Sequence, residues 1–213
     1  GVAVGTEGMT GLYVRGGGAD ENLYLLDGNP VYHVNHLLGF FSAFNPDAIK
    51  NTRFYKGSFP AEYGGRLSSV VDVRMNDGNR QEYHGNISVG LLSARANLEG
   101  PIVKDRSSFN VSVRRTWLDL ITGTALAIVN KNSDTKESFG YHFFDINAKV
   151  NHSFSERSRA YLSFYMGQDA FRQGSKEKHE DSDDMFLWRW GNLIGSAGWN
   201  YVFGQKLFGN LMV

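Results

Sequence analysis

Few residues in this 213-residue chain stand at spacings that do chemistry. His33 and His36 are three apart, a crude metal-ligand spacing, but no carboxylate or third ligand is near them in sequence. A zinc site needs three or four ligands, so no metal site is read here. Residues 177–184 (EKHEDSDD) concentrate acids without the spaced ligands and glycine turn of a calcium loop, and read as a solvated loop. The glycine run at 16–18 precedes Ala-Asp rather than a helical phosphate site. There is no GK[ST], no G-x-S-x-G and no HExxH. Cysteine is absent, which excludes disulfides and thiolate chemistry. The reading is therefore of a protein that binds: not an enzyme, no catalytic residues, no cofactor.

Its 22 basic and 22 acidic residues cancel, and the balance holds on both sides of residue 80. A nucleic-acid binder shows a basic excess, so that partner is excluded. No apolar run of about 20 residues exists to form a membrane-spanning helix. The longest charge-free run, 28–46, holds Pro30, Pro46 and two histidines. The N-terminus lacks the basic and apolar regions of a signal peptide. The chain opens on a strand-like segment and stops within an alternating one, so it reads as a piece of something longer. Mean hydropathy is −0.35, with 25 glycines and 14% aromatics. A membrane β-barrel hides its apolar band by alternation and averages to such values. A soluble β-sandwich shares the composition.

The elements divide near 76–81 (NDGNRQ), a turn-rich stretch. Before it, segments are short and glycine-punctuated. After it come alternating segments. Apolar parity switches at Leu91–Leu92, which predicts a bulge or a tight hairpin between 82–91 and 92–98. Strands are then predicted over 108–120, 141–154, 159–167 and 185–203, with a further one starting after 204–206. The connections alternate long (121–140, 168–184) with short (99–107, 155–158, 204–206). Tight turns at one end and long loops at the other favour a membrane barrel over a sandwich. Arg115 shares parity with Phe109, Val111 and Val113, on the lipid face. An arginine there costs about 2–4 kcal/mol at the midplane and about 0–1 near an interface. It is expected at the rim, or turned inward by a bulge. Residues 114–115 form a structural pair first, with lipopolysaccharide contact as the second reading.

Two segments carry a family resemblance. Residues 11–32 read GLYVRGGGADENLYLLDGNPVY, with Arg15-Gly16 and Asp27-Gly28 closing successive strands. Residues 48–75 read AIKNTRFYKGSFPAEYGGRLSSVVDVRM, with Lys56-Gly57, Tyr63-Gly64 and a final hairpin. Together these resemble the plug domain of TonB-dependent outer-membrane receptors, in wording closest to the Bacteroidetes type and not its SusC-like branch. The resemblance implies a mostly β chain: residues 1–80 are an α+β plug lacking its N-terminal part. Residues 81–213 are then the first six to seven antiparallel strands of a 22-stranded transmembrane β-barrel.

The resemblance further implies active import of a scarce nutrient (iron chelate, cobalamin, oligosaccharide or peptide) across the outer membrane of a Gram-negative cell. The partners are TonB, gripping a box upstream of Gly1, and outer-membrane lipid or lipopolysaccharide. A soluble β-sandwich carbohydrate-binding or adhesion domain and a non-transporting receptor are the alternatives. Substrate contacts fall at the plug apex, on Arg15, Tyr32, His33, Asn35 and His36. Arg15, Lys56 and Arg66 are expected to pair with carboxylates on the barrel wall, while 37–44 (LLGFFSAF) is expected to pack as plug core.

Overall fold

The computed structural model describes residues 2–4, 12–14, 18–177 and 183–213. The N-terminal unit begins with β1 (Val2–Val4) paired antiparallel to β2 (Leu12–Val14). A four-stranded sheet follows, in the order β4-β3-β8-β7. Its strands are β3 (Asn22–Leu26), β4 (Asn29–Pro30), β7 (Ile49–Tyr55) and β8 (Ser69–Met75). β3 runs parallel to β8 and reverses into β4 at Asp27-Gly28. Both turn residues have positive φ, +46° and +89°, the geometry for which Asp-Gly is the favoured hairpin pair. The small ladder β5 (Asn35–His36) and β6 (Phe41–Ser42) bridges β4 and β7 in sequence.

The second part is one antiparallel seven-stranded sheet in sequence order. It comprises β9 (His84–Val89), β10 (Ser93–Val103), β11 (Ser107–Thr116), β12 (Thr135–Ser155), β13 (Ser158–Glu177), β14 (Asp183–Val202) and β15 (Phe208–Met212). The parity switch at Leu91–Leu92 is a tight hairpin, closed by the Gly90 amide on the Ser93 carbonyl.

Burial is inverted relative to a soluble protein. Along β11, Ser108, Asn110, Ser112, Arg114 and Thr116 are buried, while Val111 and Val113 are exposed. Along β12, Asp145, Asn147, Lys149 and Asn151 are buried and Val150 is exposed. Leu162 and Leu193 continue the exposed face at 65% and 72%. The polar face packs on the N-terminal unit, whose core of Leu26, Val31, Ala43, Val71, Val73 and Met75 takes Tyr165 and Ile194 from the wall. The β-sandwich alternative required apolar faces packed on each other, and this arrangement overturns it.

Three expectations need correction. The predicted connection 99–107 is mostly strand, since β10 reaches Val103. The predicted loop 168–184 is largely strand too, as β13 and β14 pair from Ser158–Tyr201 up to Lys176–Asp183. The predicted acidic loop lies mostly outside the described residues. Within 121–140 stands α1 (Leu118–Val129), and β12 begins at Thr135. β11 pairs β12 only as far as Arg115–Phe144, leaving the edge of β12 above that point free. The helical segment fills it. Asn130 donates to the Glu137 carbonyl at 2.6 Å and accepts the Glu137 amide at 3.0 Å. Thr122 donates to the Phe139 carbonyl at 3.0 Å.

Candidate ligand site at the apex of the N-terminal unit

The wall has a short-turn end, at Ser155–Ser158, and a tall end, where β12, β13 and β14 run past β11. The Asp27-Gly28 turn points to the short-turn end. A Cβ on Gly28 would strike Met212, which stands in register with Gly198, Tyr161 and Asn151. The Asp27-Gly28 turn therefore faces away from the tall end. The chain after it climbs instead. Asn29 donates to Ser196 at 2.6 Å, then the His33 amide and carbonyl are both held by the Asn192 side chain, at 3.2 and 2.7 Å.

At the top of this climb His36 is 2% exposed, its ring nitrogens 2.9 Å from Asp145 and 2.7 Å from Asp169. Its ring stacks on Phe143, with centroids 4.1 Å apart. Arg114 donates its Nε to Asp145 at 2.7 Å and its Nη2 to the Ser42 carbonyl at 2.7 Å. Tyr165 and Tyr141 donate their hydroxyls to Asp145 and Asp169 respectively. Burial depresses the basicity of His36, but the hydrogen bonds and charges of Asp145 and Asp169 outweigh it and raise its pKa above 6.5. Both ring nitrogens face carboxylate oxygens, a setting that favours the imidazolium, and Arg114 is the second cation of the cluster. Leu37 follows at φ +49°, a strained setting for a leucine. The Leu37 amide is held by Tyr141 Oη at 2.6 Å and Asp169 at 3.3 Å.

A second cluster fastens the short-turn end. Lys149 Nζ lies 3.1 Å from Asp27 and 3.2 Å from Asp77, and Arg159 lies 2.8 Å from Asp77. Burial alone would raise the Asp77 pKa, but Lys50, hydrogen-bonded at 2.6 Å, with Lys149 and Arg159 holds the carboxyl well below its usual range. Arg95 adds a pair to Asp47 at 3.1 Å.

Past the apex the inner face of the wall turns aromatic. Register places Tyr141, Phe171 and Trp188 in one row, with Phe139 and Phe186 a row higher and Trp190 a row lower. Phe139 meets Phe171 edge-on at 5.5 Å, and Trp188 and Trp190 lie 5.0 Å apart. Phe139, Phe186 and Trp188 are 43%, 58% and 59% exposed. On the N-terminal unit, Tyr32 and Phe40 are exposed as well.

Two comparisons bear on this arrangement. Residues 1–71 match the family model of the TonB-dependent receptor plug domain. The chain carries a TonB-dependent receptor plug. Among solved structures it is similar to the siderophore receptor PirA from Acinetobacter baumannii, at 14% identity and TM-score 0.50, over 94% of this chain and 37% of that one. PirA from Pseudomonas aeruginosa aligns at 18% identity and TM-score 0.48, over 94% and 39%. The chain therefore spans under two fifths of these receptors' length. No curated protein sequence matches it.

Of the residues read from sequence, Tyr32 and His33 are exposed on the plug, and Asn35 is half-buried in β5. His36 is corrected: both its nitrogens bond to the wall, so it fastens the plug and has none left for a ligand. Arg15 lies outside the described residues. Lys56 sits 5.7 Å over the Phe54 ring and Arg66 donates to the Gly65 carbonyl, both exposed. His36 keeps the expected polarity, a plug cation on the wall carboxylates Asp145 and Asp169, but the other plug–wall pairs reverse it. Asp27, Asp47 and Asp77 are the acids, and the wall supplies Lys149, Arg95 and Arg159. In 37–44, Ala43 and Phe44 join the core, while Phe40 is 64% exposed.

The aromatic recess escaped sequence reading. Its signal was present as alternate aromatics in 186–190, but the row exists only once β12, β13 and β14 are in register.

Proposed function

We propose that this chain is the plug (residues 1–80) and the first wall strands (81–213) of a 22-stranded outer-membrane receptor of the Bacteroidetes type. It imports a scarce ligand with energy drawn through TonB. The observation that carries the reading is the inverted wall: a polar face buried on the plug and a bare apolar face outside. Such a face is stable only against lipid. The short-turn end is then periplasmic and the tall end extracellular.

The ligand enters from the tall end, meets the rings at 139–190, and rests on Tyr32, His33 and the neighbouring plug surface. We take it to be the iron chelate of a siderophore. A cluster of exposed aromatic rings, set edge-on and tilted to one another, suits conjugated, oxygen-rich chelators, and the A. baumannii relative is a siderophore receptor. Import requires the fastened plug to shift, so ligand affinity must differ between the seated and displaced states.

The test begins with fractionation of source cells, probed by an antibody against 168–184. The reading expects a heat-modifiable band much larger than 24 kDa in the outer membrane, and a soluble band of the chain's own 23.8 kDa would sink it. Uptake of radiolabelled ferric chelates under iron limitation should then collapse with an uncoupler. Trp188→Ala with Trp190→Ala should weaken chelate binding by about tenfold or more, at about 1 kcal/mol of lost stacking per ring. Uptake of labelled cobalamin or oligosaccharide in place of iron would overturn the ligand class.

A further inference from the structure

The tall part of the wall sorts its charges by side. β12, β13 and β14 keep one register there, from Phe143 level with Trp190 up to Lys136 level with Asp183, so rows alternate between the plug side and the outer side. The outer rows hold every base of these strands at that height: His142 and Arg189, then Arg172, then Lys136 and Lys176. Arg115 of β11 lies on the same outer side, in register with Phe144, and donates to Asp119 at 2.8 Å. The plug-side rows hold the ring cluster, Gln173, Ser175 and the acids Glu137 and Asp184 above it, with no lysine, arginine or histidine.

The plug segment fastened beside the rings brings no fixed positive charge either. Residues 31–41 (VYHVNHLLGFF) meet the cluster where the Leu37 amide bonds to Tyr141, and they contain no lysine or arginine. His36 has both ring nitrogens on Asp145 and Asp169, and Arg114 is committed to Asp145 and the Ser42 carbonyl. Glu137 is exposed two residues before Phe139, on the same side of β12, and its backbone is fixed by Asn130. Aromatic faces carry negative potential, which draws cations and repels anions. The side of the wall that meets the ligand is therefore neutral to negative.

Resting on the iron-chelate reading above, we propose that the ring cluster selects its ligand by charge. It takes a ferric chelate without net negative charge, of the tris-hydroxamate class, and turns away the tris-catecholate class. Three hydroxamates neutralise ferric iron, whereas three catecholates leave a trianion. A polyanion that leaves water needs ammonium or guanidinium donors, and burying it without them costs more than ring contact returns. A neutral chelate has no such debt and lays its carbon arms on the rings. Gln173 is the position that decides the sign, because it is exposed in register between Phe139 and Phe186, where a cation would stand among the rings.

The test uses the full-length receptor in mild detergent and measures equilibrium binding of radiolabelled iron in two chelates, a neutral tris-hydroxamate and a tris-catecholate. Wild type should bind the tris-catecholate roughly a hundredfold or more weakly than the tris-hydroxamate, the scale of an unfavourable charge juxtaposition. Gln173→Arg should improve tris-catecholate binding by about tenfold or more, as a charge-assisted contact does, and leave the tris-hydroxamate within a few-fold of wild type. Arg172→Gln, one residue away on the outer side, should change neither. Ser175→Arg, one plug-side row higher, serves if Gln173→Arg does not fold, which loss of heat-modifiable migration would show. If wild type binds the tris-catecholate as tightly as the tris-hydroxamate, the iron-chelate reading stands and this inference is overturned. It is also overturned if the folded arginine variant keeps the wild-type preference, since the choice is then made elsewhere. If neither chelate is bound, the iron-chelate reading itself fails and takes this inference with it.

Discussion

Replacing Lys149 by methionine tests whether the plug is fastened as described. Lys149 is 5% exposed and its ammonium reaches Asp27, Asp77 and the Met75 carbonyl, all within 3.2 Å. Asp77 keeps Lys50 and Arg159 when Lys149 is lost. Asp27, 1% exposed, keeps only the Met75 amide at 3.1 Å. The cost therefore falls on Asp27, as a buried carboxylate left without a direct ion pair and with Arg74 only at Coulomb range, at about 3–5 kcal/mol. In hydrogen exchange on the whole receptor, the amides of Asp27 and Met75 report the opening directly, because they bond to Val73 and to Asp27 itself. Their protection should fall roughly a hundred- to a few-thousandfold, at about 1.4 kcal/mol per decade. Asp27→Asn/Lys149→Met should restore most of it, since the buried charge is gone and the carboxamide oxygen still accepts from the Met75 amide. A loss under about fivefold for Lys149→Met would mean the pair behaves as a surface ion pair, and the fastening argument would fail.

Titration gives two further expectations. The folded pKa of His36 is raised above 6.5, so its contribution is complete below about pH 6.5 and is lost as pH rises through the folded value. Protection of the Leu37 amide, corrected for intrinsic exchange, should fall toward alkaline pH, and His36→Gln should flatten that dependence. The folded pKa of Asp77 is lowered, so its contribution is present above about 3.8 and is lost as pH falls through the folded value. Asp77→Asn should accordingly blunt the acid loosening at Asn151, whose side-chain carboxamide donates to the Asp77 backbone carbonyl, followed through the Asn151 side-chain NH2 resonances. Gly28→Val should cost about 1–2 kcal/mol, because a branched residue cannot adopt φ +89° without strain. It would show as about tenfold lower protection of the Val31 amide, which donates to the Tyr24 carbonyl.

How much was legible follows from where each signal is stored. The run Phe144–Val150 alternates because one side meets the plug and the other does not, so its parity reads directly. Residues 168–176 (QDAFRQGSK) are equally a strand, but water wets much of both faces there, and period-two patterning disappears. α1 was missed because LDLITGTALAIV is apolar nearly all round, with Trp117 rather than a hydroxyl or carboxamide at its N-cap. The Lys149 pair runs opposite to the expected polarity since Asp27 and Lys149 are 122 residues apart, and nothing local to either marks the other. His36 shows the same limit: its partners lie 109 and 133 residues on. The two plug motifs were legible because their signal is local turn chemistry, as at Asp27-Gly28.

The amide of Asn130 against the backbone of Glu137 has a consequence for neighbours. A sheet rising past its shorter flanking strand exposes a row of unpaired peptide groups, and such rows zip readily onto the same row of another molecule. Where many copies stand side by side, that invites chains to stitch together edge to edge. Here a carboxamide takes the place of the missing peptide and a threonine hydroxyl covers the next carbonyl. The molecule thereby caps this stretch of the β12 edge with its own side chains.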